Sequence, residues 1–270
     1  MITTYGIADA ATFTSPDQAL ALEELSRNGF CILEAALPLS TVAVLREALD
    51  RVLATQVARF GGEAAMAAIG ELGQARALLE EDENFLAILC APRLDAVVEA
   101  VLGPAALVMQ QNGIVIPPNR AEHHQQSWHR DLPYQSWVAT KPIALGALAV
   151  LDDFTPESGS TLFLPGSHRH EGFPSEAYVA RWARPVLAAA GAIVVFDAMC
   201  FHRGGVNSGA VPRRAVNTLY GVPLLAQQVA FTDRPGLDAK LRRRLGIDYQ
   251  PAPSADAWRA RRAARLAVRP

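Results

Sequence analysis

The spacing of apolar residues divides the chain into a helical first part and a strand-rich second part. Before residue 105 the apolar positions recur every three or four residues, as on the buried face of an amphipathic helix. This spacing predicts one helix from a Ser-Pro start at Ser15 to a stop at Gly29, one that Pro38 opens, and one over residues 78–102. A short strand, Phe30–Leu33, is predicted between the first two helices.

From about residue 105 onward, short apolar or alternating runs replace the helical spacing, and each run is bounded by turn-forming residues. The runs cover residues 106–109, 113–116, 143–151, 161–164, 192–196 and 215–222. Short strands separated by turns indicate a sandwich or barrel, since βαβ units would place helical segments between the strands. We therefore predict a mainly β protein of one domain: a helical buttress over 1–104, a β core over 105–225 and a C-terminal extension over 226–270.

Length and composition agree with one large buried core. Of the 270 residues, 50% are hydrophobic and 19% are charged, against about 25% charged in an average domain, which excludes a disordered chain. No apolar run reaches the roughly 18 residues of a membrane helix, and the first residues lack a signal-peptide pattern. Cys31, Cys90 and Cys200 lie too far apart to indicate a disulfide framework or a zinc site. We expect a cytoplasmic protein without a membrane partner.

Positive charge is concentrated at the C-terminus. The net charge is −2, but the last forty residues carry ten Lys or Arg against four Asp or Glu. A basic terminus can bind nucleic acid, yet this one shows neither interleaved aromatic residues nor a known nucleic-acid motif. We interpret it as a solvated helix with Trp258 and Leu266 on one face, and expect no nucleic-acid partner. The choice between monomer and homodimer stays open.

The first candidate ligands lie in an H-x-D triplet. His129 and Asp131 are two residues apart, so in an extended chain both side chains project to the same side. Together they supply two of the three ligands of the 2-His-1-carboxylate triad, which holds Fe(II) with coordination positions open. Alone, such a pair is more often a hydrogen-bonded surface histidine beside an acidic residue.

A second segment supplies a third ligand and an anion-binding side chain. His202 comes just after the predicted strand 192–196, where it can converge on the pair from another strand. Arg213 and Arg214 open the next strand, and alternation allows only one of them to face a barrel interior. An inward arginine requires an anion, and its planar fork fits a carboxylate. Two histidines, a carboxylate and an inward arginine are what an iron enzyme that uses 2-oxoglutarate requires.

Longer segments around these residues carry a family resemblance. They are residues 128–134 (WHRDLPY), 151–168 (LDDFTPESGSTLFLPGSH), 202–207 (HRGGVN) and 212–215 (PRRA), together with 28–33 and 102–104. On these segments the chain resembles the phytanoyl-CoA dioxygenase family of Fe(II)/2-oxoglutarate oxygenases. The Trp-His-Arg-Asp pattern is closer to members that modify small molecules and natural products than to the acyl-CoA enzyme.

The resemblance implies a fold, a ligand set and a reaction. The fold is a double-stranded β-helix, the jelly roll of cupin-like proteins, behind the N-terminal helices. His129, Asp131 and His202 would be the catalytic iron ligands, and Arg213, eleven residues after His202, would bind 2-oxoglutarate. Fe(II), 2-oxoglutarate and O2 would together oxidise an unactivated C–H bond, with hydroxylation as the default outcome and release of succinate and CO2.

Further co-substrate contacts follow from the same resemblance, with two departures from the family pattern. Gln126 and Thr161 match contacts to 2-oxoglutarate in some relatives. The position two residues after the distal histidine is often Ser but is Gly204 here, so that contact is absent or rerouted. The Asn that usually precedes the Pro-Gly-Ser-His turn is Ser158.

The substrate-facing residues are expected close to the H-x-D triplet. They are Arg130, Tyr134, Gln135 and Trp137. Residues 121–126 are expected to line the same pocket, and parts of 60–80 to act as a lid. An aromatic, mostly neutral pocket of this kind suits a small-molecule substrate rather than a polyanion.

Two other function classes use the same residue types. One is a cupin-like isomerase or epimerase with a different metal, and the other is a non-catalytic small-molecule binder. Arg213 at the family spacing counts against the first, and the complete triad counts against the second.

The remaining polar motifs are interpreted as structural. We expect His168 to be a turn histidine, and His123 and His124 to lie in a loop near the pocket mouth. Asp152 and Asp153 directly follow a predicted strand, so we expect them to cap and turn the chain there rather than to act as an acid–base pair.

Overall fold

The computed structural model describes residues 15–118, 124–132 and 137–267 of the chain. Its α-helices are α1 (Pro16–Asn28), α2 (Leu39–Phe60), α3 (Glu63–Ala68), α4 (Leu78–Glu81), α5 (Leu86–Leu89), α6 (Pro92–Leu102), α7 (Glu176–Trp182), α8 (Ala239–Arg244) and α9 (Ala255–Ala267). Its strands are β1 (Phe30–Leu33), β2 (Gln74–Ala75), β3 (Leu107–Ile116), β4 (Ala144–Val150), β5 (Leu162–Phe163), β6 (Arg184–Pro185), β7 (Ile193–Asp197), β8 (His202–Arg203) and β9 (Arg213–Gly221).

The first two helices begin where the sequence predicts. The Ser15 hydroxyl accepts a hydrogen bond from the Gln18 backbone N–H at 3.2 Å, which caps α1. Gly29 ends α1 in the left-handed conformation, with φ 85°. Helix α2 follows Pro38, as predicted from the Pro38 signal.

The single helix predicted over residues 78–102 is wrong. The chain instead forms α4, a 3₁₀ turn (Glu83–Phe85), α5 and α6. Asp82 is extended and accepts a hydrogen bond from the Asn84 backbone N–H at 2.9 Å. Pro92, the first residue of α6, has no N–H for a continuous helix. The apolar spacing identified the buried face of this segment but not the breaks in its backbone.

The strands form two antiparallel sheets with a core between them. The major sheet has the order β1-β7-β4-β9-β3-β2 and the minor sheet has the order β6-β5-β8. Phe163 of the minor sheet packs against Phe196 of the major sheet, with ring centroids 5.2 Å apart. The opposite face of the major sheet packs on the helices in a second, larger core. Close packing there requires Gly113, because a Cβ at that position would lie 2.1 Å from Leu49 Cδ1 of α2.

Each predicted run forms a strand, except that two neighbouring runs join into a single strand. The runs at 106–109 and 113–116 form one strand, β3, whose register against β9 shifts between Val108 and Gln110. A bulge of this kind interrupts the apolar alternation without ending the strand. The antiparallel sheets preceded by helices agree with the predicted arrangement, although more of the described residues lie in helices than in strands. The division at residues 104 and 225 stays a prediction.

The C-terminal extension combines an anchored helix and an exposed one. Arg244 of α8 is buried and donates hydrogen bonds to Asp95 Oδ1 at 2.8 Å and to the Ala106 carbonyl at 3.0 Å. In α9 both Trp258 and Leu266 are 56% exposed, which confirms the predicted solvated helix. Within the described residues, no helix combines the length and the apolar character that a membrane crossing needs.

Candidate metal centre

Backbone pairing brings His129 and His202 together. The N–H of each residue donates to the carbonyl oxygen of the other at 3.0 Å, so the H-x-D segment runs beside β8 as an added antiparallel bridge. The Asp131 N–H donates to the Ala198 carbonyl, also at 3.0 Å. In this extended segment the His129 and Asp131 side chains project to the same side, as the sequence predicts.

The three side chains form a compact cluster. One ligand atom from each of His129, Asp131 and His202 lies within 4.8 Å of the others. Asp131 Oδ1 is 3.5 Å from His202 Nε2 and 4.0 Å from His129 Nε2. The side chains of Asp131 and His202 are 10% and 8% exposed, whereas that of His129 is 27% exposed. The cluster is therefore accessible from the His129 side.

Hydrogen bonds to carbonyl groups set the tautomer of both histidines. His129 Nδ1 lies 2.8 Å from the Ser127 carbonyl oxygen, and His202 Nδ1 lies 3.0 Å from that of Cys200. Because a carbonyl oxygen only accepts, each Nδ1 carries the proton and donates it. Each Nε2 can then present its lone pair to an ion, as in histidines that bind metals.

The Asp131 carboxyl group is held in its ionised form. Burial acts to raise its pKa, but its interactions with His202 and His129 and a hydrogen bond from Asn217 together hold the pKa below its ordinary value. Imidazole nitrogens and a carboxylate oxygen are the donors that Fe(II) takes in facial-triad sites.

A small cavity adjoins the cluster between the two sheets. Its lining combines apolar and polar residues: Ile114, Leu148, Phe163, Phe196 and Gly204 on the one hand, and Gln125, Thr161, His202, Arg213 and Asn217 on the other. The predicted co-substrate residues Thr161 and Arg213 are both among them. Of the described residues that line the cavity, Arg213 is the one with a permanently charged side chain.

Arg213 is a buried cation without a bound anion partner among the described residues. Its side chain is 3% exposed, and Nε and Nη1 have no hydrogen-bond partner in the described part of the chain. The guanidinium carbon lies 4.4 Å from the ring centroid of Phe154. Burial lowers the pKa of Arg213 to about 10, so the group is charged at neutral pH. Such a cation is costly to bury unless an anion binds it.

Arg214 lies on the opposite side of β9. Its Nε is 2.7 Å from Asp50 Oδ1, and its Nη1 is 3.1 Å from Asp152 Oδ2. These carboxylates raise the pKa of Arg214, its hydrogen bond to Asp50 having the largest effect. The expectation that only one of the two arginines faces inward is met, and the inward one is Arg213.

Arg130 does not face the cavity, in contrast to the prediction. Its guanidinium donates hydrogen bonds to four backbone carbonyl groups: Met199 at 2.8 Å, Glu171 at 3.0 Å, Ser167 at 3.3 Å, and His170. It also stacks on Phe201, 3.9 Å from the ring centroid. Because it lies between His129 and Asp131 in an extended segment, strand alternation turns it away from them. Arg130 ties the H-x-D segment to the turn around residue 170.

The other candidates have mixed outcomes. Gln126 is the last residue of a 3₁₀ turn (His124–Gln126). The glutamine that lines the cavity is its neighbour Gln125 rather than Gln126. Trp137 is 47% exposed. Tyr134 and Gln135 lie outside the described residues, as does His123, so their roles stay predictions.

The motifs interpreted as structural have structural contacts. Asp152 pairs with Arg46 and Arg214, and Asp153 Oδ1 accepts the Ala190 N–H at 2.7 Å. The buried ring of His168 has Nε2 3.3 Å from the Ser26 carbonyl oxygen. At the position where Asn is usual, the Ser158 hydroxyl accepts the Thr155 N–H at 2.9 Å.

The sequence analysis missed Asn217. Its Nδ2 donates to Asp131 Oδ2 at 3.1 Å, and its side chain lines the cavity. The signal was present, because Asn217 lies four residues after Arg213 on β9 and alternation places both on the same face.

Comparisons with known proteins agree with this geometry. The family profile described as "Phytanoyl-CoA dioxygenase (PhyH)" matches residues 25–215. The chain is 31% identical over 224 residues to the uncharacterized protein Rv1501 of Mycobacterium tuberculosis (strain ATCC 25618 / H37Rv), covering 81% of this chain and 80% of that protein. It is 35% identical over 91 residues to the dioxygenase hkm4 of Aspergillus hancockii, covering 31% of this chain and 28% of that one.

Solved structures share the fold at low sequence identity. The non-heme alpha ketoglutarate dependent carbocyclase SnoK from nogalamycin biosynthesis matches with a TM-score of 0.59 and 18% identity, covering 76% of this chain and 83% of that one. The non-heme alpha ketoglutarate dependent epimerase SnoN from the same biosynthesis matches with a TM-score of 0.60 and 20% identity, covering 83% and 91%.

The family match spans most of the chain and includes the His–Asp–His cluster and Arg213. Membership implies Fe(II), 2-oxoglutarate and O2 as cofactor and co-substrates, and the described cluster could hold the metal. The chain belongs to the phytanoyl-CoA dioxygenase family of 2-oxoglutarate-dependent, non-haem iron enzymes.

Proposed function

We propose that this protein is an oxygenase that oxidises an unactivated C–H bond of a small molecule and converts 2-oxoglutarate to succinate and CO2. The observation that carries the proposal is the buried guanidinium of Arg213, which lacks an anion partner in the described chain and shares a cavity with the His–Asp–His cluster. A dicarboxylate that reaches both features would supply the missing anion.

The donor set fits Fe(II). His129 Nε2, Asp131 Oδ1 and His202 Nε2 would hold the ion, and the Nδ1–H bonds to Ser127 and Cys200 would keep both rings oriented. Bound Fe(II), with 2-oxoglutarate and O2, supplies the oxidising power needed to break a C–H bond. The protein's contribution is to position the reactants and to exclude water.

Two polar residues of the cavity, Arg213 and Thr161, are suited to binding 2-oxoglutarate. Arg213 would bind its distal carboxylate through two N–H groups, the geometry that a guanidinium offers. The hydroxyl of Thr161, which is 5% exposed and lines the same cavity, would bind the same molecule. Phe163 and Phe196 wall the cavity with apolar surface, which keeps water from competing for these hydrogen bonds.

Several finer features belong to the same proposal. We infer that the two antiparallel sheets form the double-stranded β-helix of the family, with the metal site between them. The substrate would be a small, mostly neutral molecule, because Arg213 is committed to the co-substrate. We further infer a cytoplasmic enzyme without a nucleic-acid or membrane partner.

Hydroxylation is the outcome we propose, with ring closure or epimerisation as the alternative. The alternative is supported by the fold, since two proteins of similar structure are a carbocyclase and an epimerase. These outcomes differ in product mass: hydroxylation adds one oxygen atom, ring closure removes two hydrogen atoms, and epimerisation leaves the mass unchanged.

The proposal is tested by anaerobic titration of the protein with Fe(II) and 2-oxoglutarate. We expect a visible metal-to-ligand charge-transfer band from the chelated 2-oxo acid. Addition of O2 and a panel of neutral metabolites should then release succinate, and mass spectrometry identifies the product. Absence of both the band and metal-dependent 2-oxoglutarate binding would exclude this function and favour a binder or a cupin-like isomerase.

A further inference from the structure

The two oxygens of the Asp131 carboxylate have different environments. Oδ1 is the oxygen near the two histidines, 3.5 Å from His202 Nε2 and 4.0 Å from His129 Nε2. Oδ2 instead accepts a hydrogen bond from Asn217 Nδ2 at 3.1 Å. The carboxylate is thus held at one end by an amide while its other end faces the point where the imidazoles converge.

We propose that Asn217 is a positioning residue that restricts Asp131 to coordination through Oδ1 alone. This inference rests on the function proposed above. A facial triad leaves three positions on an octahedral metal, of which a chelating 2-oxo acid takes two and O2 takes one. If Asp131 bound through both oxygens, one of those positions would be lost. A hydrogen bond to Oδ2 opposes that binding mode.

The position of Asn217 in the sheet suits this role. Strand β9 lies inside the major sheet, paired with β3 on one side and β4 on the other. Asn217 is directly opposite Asn112 of β3 and Leu148 of β4, so both neighbouring strands fix its backbone. Arg213, the proposed anchor of 2-oxoglutarate, projects from the same face of the same strand. One rigid strand therefore positions both the co-substrate anchor and the carboxylate ligand.

The other end of the amide also points to a role beyond packing. Asn217 Oδ1 is buried and has no hydrogen-bond donor in the described part of the chain. A buried acceptor without a donor lowers the stability of the folded state. An apolar side chain of similar size would avoid this cost but could not hold Asp131 Oδ2.

The test uses the full-length protein loaded with Co(II), a spectroscopic substitute for Fe(II). The variants are Asn217→Ala, which removes the amide, and Asn217→Ser, which restores a short donor. Asn112→Ala is the matched control, since it removes the facing amide from the same side of the sheet. The readouts are the visible Co(II) absorption, which strengthens as coordination number falls, and the dissociation constant of 2-oxoglutarate.

We expect Asn217→Ala to bind Co(II) but to weaken 2-oxoglutarate binding by about 10- to 100-fold, the range typical of residues that orient metal ligands. Its Co(II) spectrum should differ from that of the wild type, Asn217→Ser should recover part of the affinity, and Asn112→Ala should match the wild type. Equal spectra and affinities for wild type and Asn217→Ala would overturn the assignment. So would an equal loss in Asn112→Ala, which would indicate a packing effect. A wild type without metal-dependent 2-oxoglutarate binding would instead overturn the proposed function, and this assignment with it.

Discussion

Arg213 and Arg214 are adjacent in sequence but lie in opposite environments on the two faces of β9. Arg214, on the helix side, pairs with Asp50 and Asp152 at 2.7 and 3.1 Å. Arg213, between the sheets, has two nitrogens, Nε and Nη1, without a hydrogen-bond partner in the described chain. Folded proteins satisfy nearly all buried polar groups, so an exception calls for a ligand or a functional cause. The comparison separates an arginine that pairs with carboxylates on the helix side from one that, in our proposal, binds the distal carboxylate of 2-oxoglutarate.

The largest difference between substitutions is expected for two carboxylates, Asp131 in the cluster and Asp152 beside Arg214. Asp131→Ala should reduce Fe(II) or Co(II) affinity at least about 100-fold and abolish succinate release, because it removes one of three ligands. Asp152→Ala should keep metal binding and lower the free energy of unfolding by about 1 kcal/mol, since it removes partly exposed ion pairs. Metal titration and urea denaturation measure the two quantities. Retention of metal binding by Asp131→Ala would show that the cluster is not the metal site.

The arginines themselves should show opposite effects when each is replaced by Met. Arg213→Met should weaken 2-oxoglutarate binding by about 100-fold or more, through loss of a buried charge-assisted contact worth about 2–5 kcal/mol. The same variant without ligand should be at least as stable as the wild type, because a buried charge without a partner is replaced by an apolar group.

Arg214→Met serves as the counterpart on the helix side. It should leave 2-oxoglutarate affinity unchanged and lower the free energy of unfolding by about 1 kcal/mol. Thermal melts with and without 2-oxoglutarate separate the two variants, since a bound ligand raises the melting temperature. Equal effects of Arg213→Met and Arg214→Met on 2-oxoglutarate affinity would contradict the assignment of Arg213 as the arginine that binds it.

A separate, pH-dependent effect on stability is expected at Asp197, a buried carboxyl group outside the metal site. Burial raises its pKa from 3.8 to about 6, so the folded state binds this proton more tightly than the unfolded state does. The resulting stabilisation is present below about pH 4 and is lost as the pH rises to about 6, amounting to about 2–3 kcal/mol.

The variant Asp197→Asn should remove this pH dependence. It stays neutral and keeps an oxygen for the Met199 N–H, which Asp197 Oδ1 accepts at 2.8 Å. We expect it to match the wild type near pH 4 and to be more stable at pH 7. Urea denaturation at both values measures the difference, and parallel stability curves for the two proteins would contradict the raised pKa.

The features that the sequence predicted correctly depend on local rules. The Ser15 cap, the strand alternation at Arg213 and Arg214, and the pairing of His129 with Asp131 each follow from residues close together in the chain. Strand alternation also places Asn217 on the same face as Arg213 and turns Arg130 away from His129 and Asp131, so both positions follow from the sequence.

Some of the features that the sequence analysis missed have local causes, and others depend on contacts between distant segments. The breaks in residues 78–102 follow from the extended Asp82 and from Pro92, although the apolar spacing continues across both. The role of Arg130 depends on carbonyl groups at residues 167–171 and 199, which no local pattern places near it. The choice between Gln125 and Gln126 is set by a short 3₁₀ turn.

The reciprocal backbone hydrogen bonds between His129 and His202 have a consequence for the kinetics of metal exchange. These residues are 73 positions apart, and an ion that had to bring them together would lose the entropy of closing that loop on every binding event. Here the peptide ladder closes the loop during folding, so binding requires only small rotations of side chains. The site should therefore take up and release its ion without opening the sheet, and its exchange rate should be independent of the rate of global unfolding.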